Sequence, residues 1–281
     1  MFFWSLGQYE KAEEHLEKAL VIITEICDRK GEASCYGNLG AFLQSLGECD
    51  KAKEYLQKAL VITTEIGDRK GEGTCYERLG IVSAALRKYD EAKEYIQKAL
   101  DITTEIGDRK REASCYKSLG SVFTGLGQYD KAKECFQKAL VIGSDIGDKL
   151  GEAQHLLNLG IVFRAVGDYE ASEVCFEKAL SLSRDIGCRR KELEILKGYA
   201  FLYLCQKRIK DSLSCLHLCI EMYEELRYFL VDNDEFKTSF LEEFVTFPYK
   251  ILCTLLCGSR NTRDALYVEE LGRAREIGRA S

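Results

Sequence analysis

The chain has 281 residues, 46% hydrophobic and 31% charged, a composition that excludes disorder as its main state. Its 40 Lys and Arg against 46 Asp and Glu leave a net charge of −6. No cationic excess is available for a phosphate backbone, so nucleic acid is not expected as a partner. A single proline argues against the many punctuated turns of a β-sandwich or barrel and suits long helices joined by glycine turns.

From the N-terminus, Met1-Phe2-Phe3-Trp4 is apolar, but no basic segment precedes it and the charges begin at Glu10; it does not read as a secretory leader. Every apolar run is far shorter than the roughly 18–20 residues that span a bilayer. No membrane association is expected, and the cytoplasm is the expected compartment. The thirteen cysteines, odd in number and without a leader, read as reduced thiols.

Residues 1–7 align with the tail of a helix whose equivalent is Phe42–Gly47, so 1–27 reads as half of a repeating unit. The period is 40 residues. Gly7, Gly47, Gly127 and Gly167 share one column, in which Arg87 is the exception. Gly40, Gly80, Gly120 and Gly160 share a second; Ala12, Ala52, Ala92 and Ala132 a third; Ala19, Ala59, Ala99, Ala139 and Ala179, each followed by leucine, a fourth. Agreement in this many columns marks an array of one supersecondary unit. Within a unit, Tyr36, Leu39, Leu43 and Leu46 are spaced 3, 4, 3, one face of a first helix ending at Gly47. A second helix runs from about Asp50 to Ile66, its inner face built from Ala52, Tyr55, Leu56, Ala59 and Leu60, with Gly67 as its left-handed cap. Glu54 and Lys58, repeated as Glu94/Lys98 and Glu134/Lys138, lie four apart on its solvated face. Gly40, Ala52 and Ala59 lack the side chains that would hold the two helices apart.

Complete units cover 31–67, 71–107, 111–147 and 151–187; 191–227 keeps the helical spacing but replaces the glycines with Ala200 and Lys207, a divergent copy. From Asp234 the period fails, and Phe236, Phe240, Phe244 and Phe247 precede the lone Pro248. Residues 228–281 read as a helical segment packed on the end of the array.

The Leu39-Gly40 pair, Gly47 followed by an aromatic such as Tyr89 or Tyr129, and Lys58-Ala59-Leu60 resemble the tetratricopeptide repeat (TPR). The usual TPR has 34 residues; this longer form, with Ile66-Gly67-Asp68-Arg69-Lys70-Gly71-Glu72 between units, looks like the variety in Pins/LGN-type G-protein signalling modulators and, more loosely, kinesin light chains. Cys49 and Arg87 depart from the pattern, and the usual proline before the next unit is absent. Residues Asn261–Arg275 resemble the lead-in to the CHAT domain of long animal TPR proteins, the tetratricopeptide repeat protein 28-like group. The resemblance implies an all-α superhelix of stacked antiparallel helix pairs. It also implies that a caspase-like CHAT domain would follow Ser281, and that the chain is cut at both ends.

Catalysis needs a nucleophile, a base and a group that stabilises developing charge within hydrogen-bond reach. His15, His155 and His217 do not recur with the period and read as surface or packing residues. Cys215, His217 and Cys219 lie two apart on a helix, hence on different faces. Cys35, Cys75 and Cys115 share one column, as a small buried side chain between stacked units would. No enzymatic activity, cofactor or metal is expected. The remaining resource is surface shape: stacked hairpins form a groove lined by first helices. By the TPR resemblance, Asn38, Arg78, Lys117, Ser118 and Asn158, just before the Leu-Gly pair, face that groove, with Gln44, Thr124 and Arg164 continuing it and Ile81, Ile161 and Phe201 adding apolar patches. Amides and guanidinium groups there suit a peptide backbone and its carboxylates, although a register-locked polar residue can equally link neighbouring units. The expected partner is a peptide or helical segment of another protein. Phe2, Phe3 and Trp4 at the open first unit add an expectation of self-association.

Overall fold

The structure, a computed structural model, describes residues 9–229 and 251–254. Phe2, Phe3, Trp4 and the segment resembling the CHAT lead-in lie outside them. The fold is all-α: α1 (Tyr9–Glu25), α2 (Arg29–Ser45), α3 (Cys49–Glu65), α4 (Arg69–Ala85), α5 (Tyr89–Glu105), α6 (Arg109–Gly125), α7 (Tyr129–Asp145), α8 (Lys149–Val166), α9 (Tyr169–Asp185), α10 (Arg189–Cys205) and α11 (Ile209–Phe229). Two compact units divide the chain, one of residues 10–162 and one that includes residues from Phe163 onward. In the first, α2/α3, α4/α5 and α6/α7 are antiparallel pairs, and α3 also packs on α4 and α5 on α6. In the second, α10 packs against both α9 and α11.

Each pair closes because its first helix carries glycine where the second helix crosses. A Cβ on Gly80 would lie 2.4 Å from Ile96 Cγ1 and 3.1 Å from the Ala92 carbonyl oxygen. On Gly120 it would meet Phe136 Cε1 at 2.6 Å. Around this approach the core is continuous from one pair to the next: Ile96, Ala99 and Leu100 of α5 cluster with Cys115, Leu119 and Val122 of α6. The second unit has its own cluster, in which Leu193 and Leu196 of α10 meet Leu216, Cys219 and Met222 of α11 and Leu252.

Helix ends are set by two devices. Asp28, Asp68, Asp108, Asp148 and Asp168 each accept a hydrogen bond from the backbone N–H three residues on, at 3.0–3.1 Å, satisfying a donor that the first helical turn leaves unpaired. These caps lie in the inter-unit linkers and ahead of α9, at polar positions that the apolar periodicity does not reveal. At the C-terminal ends, glycines with φ of +67° to +87° turn the chain. Arg87 and Lys207 occupy the same left-handed conformation, both at φ +59°. At Arg87 the geometry is the Schellman motif, with Arg87 N–H donating to the Ala84 carbonyl and Lys88 N–H to the Ser83 carbonyl, both at 2.9 Å.

A left-handed conformation costs a residue with a Cβ about 1–2 kcal/mol, partly offset by the greater unfolded-state freedom of glycine. Arg87→Gly is therefore expected to stabilise the chain by about 0.5–1 kcal/mol. Urea unfolding followed by circular dichroism checks this; a lowered midpoint would show that the arginine side chain contributes more than its backbone strain removes.

Candidate functional site: the first-helix face

First helices of successive pairs are neighbours: α2 meets α4, and α4 meets α6. Polar side chains join them. Arg78 of α4 donates from Nη1 to the Gly37 carbonyl of α2 at 2.8 Å. Glu77 of α4 is buried, and Arg111 of α6 donates to it at 3.2 Å while the Ser114 hydroxyl donates to its other oxygen. A buried carboxylate is tolerated only when paired and hydrogen-bonded, and here both of its oxygens are answered from the next pair.

The predicted groove residues divide according to these links. Asn38 is exposed, and Gln44 and Lys117 are half-buried. Asn158 is half-buried and accepts a hydrogen bond from the Gln154 amide at 3.2 Å. Thr124 turns its hydroxyl back to the Gly120 carbonyl at 2.8 Å. Arg78 is an inter-unit tie, the alternative that its register allowed. Ser118 is 5% exposed, so it sits inside the packing and presents no surface. Arg164 belongs to the second compact unit, where its guanidinium lies 5.2 Å from the centroid of the Phe201 ring.

The Glu77–Arg111 link is not part of the repeating pattern, and the sequence carries a signal for it. Arg111 replaces the glycine found at 31, 71 and 151, and Glu77 stands in the column of Gly37 and Lys117. Two departures from the repeat, one unit apart, answer each other. A second series joins the two helices of each pair. Arg29 bonds Glu32 and Glu65, Arg69 bonds Glu72 and Glu105, and Arg109 bonds Glu112 at 2.6 Å and approaches Asp145 at 3.7 Å. Exposed pairs of this kind contribute little to stability because water and salt screen them; their regular recurrence marks where the first turn of one helix meets the last turn of the other.

The thiols are placed as packing groups. Burial pushes Cys75 up to about 11 and Cys115 up to about 12, so neither supplies thiolate at neutral pH. His155, in the column of those cysteines, is 4% exposed. Burial first and the Lys117 ammonium second pull its pKa down to about 4. It is held as a neutral imidazole. His217 is exposed while Cys219 is buried, as expected for residues two apart on α11. A cleft of about 460 Å³ opens between α6 and α7, lined by Arg109, Glu112, Tyr116, Glu134, Lys138 and Val141 among others. None of the predicted groove residues lines it. Among the described residues, no helix is long and apolar enough to cross a membrane.

The sequence profile of the tetratricopeptide repeat matches residues 1–65, 72–144 and 151–225, more than half of the chain. Among curated proteins none matches this chain in sequence. Several solved structures share the fold. BtubC (BKLC) from P. vanneervenii superposes with a TM-score of 0.68 at 16% identity, over 78% of this chain and 92% of its own. A Rap protein complexed with competence and sporulation factor superposes at 0.67 and 13% identity, over 98% and 72%. The apo form of RapI superposes at 0.62 and 16% identity, over 98% and 96%. At these identities the likeness is one of fold.

Proposed function

As the chain belongs to the tetratricopeptide repeat family, we propose that it is a non-enzymatic protein-interaction scaffold, cytoplasmic, that holds a peptide or helical segment of a partner along its first-helix face. The observation that carries this reading is the charge left on that face. Glu77 is neutralised by Arg111, whereas Arg78 is bonded to an uncharged carbonyl and Lys117 has no ion pair among the described residues. A chain of net charge −6 thus keeps an uncompensated cationic strip, flanked by the amides of Asn38 and Asn158. Carboxylates on an extended segment suit the cations, and the amides offer both donor and acceptor to its backbone. The Rap protein solved with competence and sporulation factor supports the reading by analogy of fold.

Arg78 carries an inter-unit hydrogen bond, so the test is placed on side chains that carry none between units. Lys117→Glu with Asn158→Ala is expected to reduce recovery of partners in affinity capture about tenfold or more, as removal of a charged contact does, while leaving the thermal midpoint within a few degrees. Equal recovery by both proteins removes the first-helix face from the reading.

The finer affiliation concerns what lies around this arm. Residues 261–275 favour a second reading, in which the array is the regulatory arm of a CHAT-type, caspase-like peptidase. A transcript whose reading frame runs past Ser281 into a His/Cys pair supports it; a stop codon there discards it.

A further inference from the structure

We propose that the cleft between α6 and α7 is a binding site for an aromatic side chain of a partner polypeptide, whose ring packs beside Tyr116 and against the Lys138 ammonium. In the two preceding pairs the chain supplies that ring itself. Tyr36 of α2 and Tyr55 of α3 lie with ring centroids 6.0 Å apart, and Tyr76 of α4 and Tyr95 of α5 with theirs 6.2 Å apart, separations at which aromatic pairs attract. A lysine three residues after the second ring completes the group. Lys58 Nζ stands 5.7 Å from the Tyr36 centroid and 5.0 Å from that of Tyr55, and Lys98 Nζ stands 5.5 Å from that of Tyr76.

The α6/α7 pair keeps the first ring and the cation but lacks the second ring. Tyr116 holds the column of Tyr36 and Tyr76, and Lys138 Nζ lies 5.4 Å from its centroid. Position 135, in the column of Tyr55 and Tyr95, is cysteine. Cys135 packs on the same core cluster as Tyr116, so the smaller residue leaves uncovered a ring that its counterparts cover. The larger Phe136 does not make up the loss: it is 2% exposed, and its ring is directed at Gly120, where a Cβ would meet Cε1 at 2.6 Å. In α8/α9 the two columns carry Leu156 and Cys175, so the half-complete arrangement belongs to α6/α7. The cleft of about 460 Å³ opens there, with Tyr116 and Ile142 as apolar wall and the exposed Glu134 and Lys138, which flank Cys135 on α7, at its border.

Charge complementarity selects the occupant. Lys138 forms no ion pair among the described residues, whereas Arg109 and Glu112 at the other end of the cleft neutralise each other at 2.6 Å. The face of an aromatic ring carries the negative potential that a free ammonium attracts; an aliphatic side chain would fill the space without meeting the cation. Val141, 60% exposed in the same lining, continues the apolar surface past one ring, which suits the residue next to an aromatic in a polypeptide.

The test titrates N-acetyl-3-fluorotyrosinamide with the full chain and follows the fluorine relaxation. Saturable binding in the millimolar range is expected, weakened at least about tenfold by Tyr116→Leu and by Cys135→Tyr. The second of these restores the residue found at 55 and 95, so its loss of binding is not a loss of fold. Adding Tyr55→Cys to Cys135→Tyr moves the open place to α2/α3 and should bring binding back. Lys117→Glu with Asn158→Ala should leave it unchanged, which separates failure here from failure of the first-helix reading. No saturation up to about 10 mM ligand, binding indifferent to Cys135→Tyr, or displacement by N-acetylleucinamide as effective as by N-acetyltyrosinamide overturns the proposal.

Discussion

Lowering the pH from 6.5 to 4 is expected to remove about 3 kcal/mol of stability through His155 alone. The imidazole is buried on α8 with its Nδ1 lacking a hydrogen-bond partner, and its folded pKa of about 4 lies below the ordinary 6.5. Above pH 6.5 both folded and unfolded chains hold it neutral, and it contributes no pH dependence. As the pH falls below 6.5 the unfolded chain takes up a proton that the folded chain refuses, so stability declines by about 1.4 kcal/mol per pH unit until the folded pKa is reached. Carboxylates contribute a slope of their own, so the quantity to measure is the difference between the wild type and His155→Cys, which restores the residue found at 35, 75 and 115. Urea unfolding at pH 7.5, 6, 5 and 4.5 should give curves that diverge in favour of the variant as the pH falls. Parallel curves would mean that the imidazole is protonated, or hydrated, inside the fold.

The variant is informative for a second reason. Position 143 carries glycine where 63 and 103 carry threonine, and a Cβ there would approach His155 Cδ2 at 3.6 Å. The larger ring at 155 thus coincides with the smaller neighbour at 143. Gly143→Thr together with His155→Cys recreates the pair of the preceding units, and the double variant should recover stability that His155→Cys loses at pH 7.5 through under-packing.

Gly80→Val is expected to cost about 3 kcal/mol, and Gly80→Ala about 1–2 kcal/mol, against the helix propensity that by itself favours alanine by about 1 kcal/mol. The added carbon meets Ile96 Cγ1 at 2.4 Å and a backbone oxygen at 3.1 Å. Ile96 is fully buried, so the side chain has nowhere to swing. Gly37 of α2 is the control: nothing lies within 4 Å of its Cβ position, and Gly37→Ala should stabilise by up to about 1 kcal/mol. In an Ile96→Ala background Gly80→Ala should become neutral or stabilising, a coupling readable as a double-mutant cycle in urea. Additive effects would show that the pair does not close on this glycine.

Both expectations concern columns that the period made visible, and they mark how far the sequence reaches. Helix pairing, the Leu-Gly crossing and the buried cysteine column were legible because packing of identical units demands the same residue size at the same place in each copy. The candidate face was legible only as a set of positions. Asn38 and Ser118 stand in one column, yet Asn38 is exposed and Ser118 is buried, and Lys117 is half-buried where Glu77 of its own column is buried; the phase along the helix is the same in each copy, and what differs is the neighbouring unit that the side chain meets.

The sequence by itself determined that the chain is an all-α array of one helical-hairpin unit, since a 40-residue recurrence of small, aromatic and aliphatic residues leaves no other way to bury the apolar faces. Only the tertiary structure decided which polar residues are spent on holding units together. Arg78 reaches Gly37 across 41 positions and Arg111 reaches Glu77 across 34. Column position fixes which helix a side chain leaves; which neighbour it meets depends on the lateral offset between first helices. That offset is set by the packing of whole pairs, a property no single unit's sequence contains.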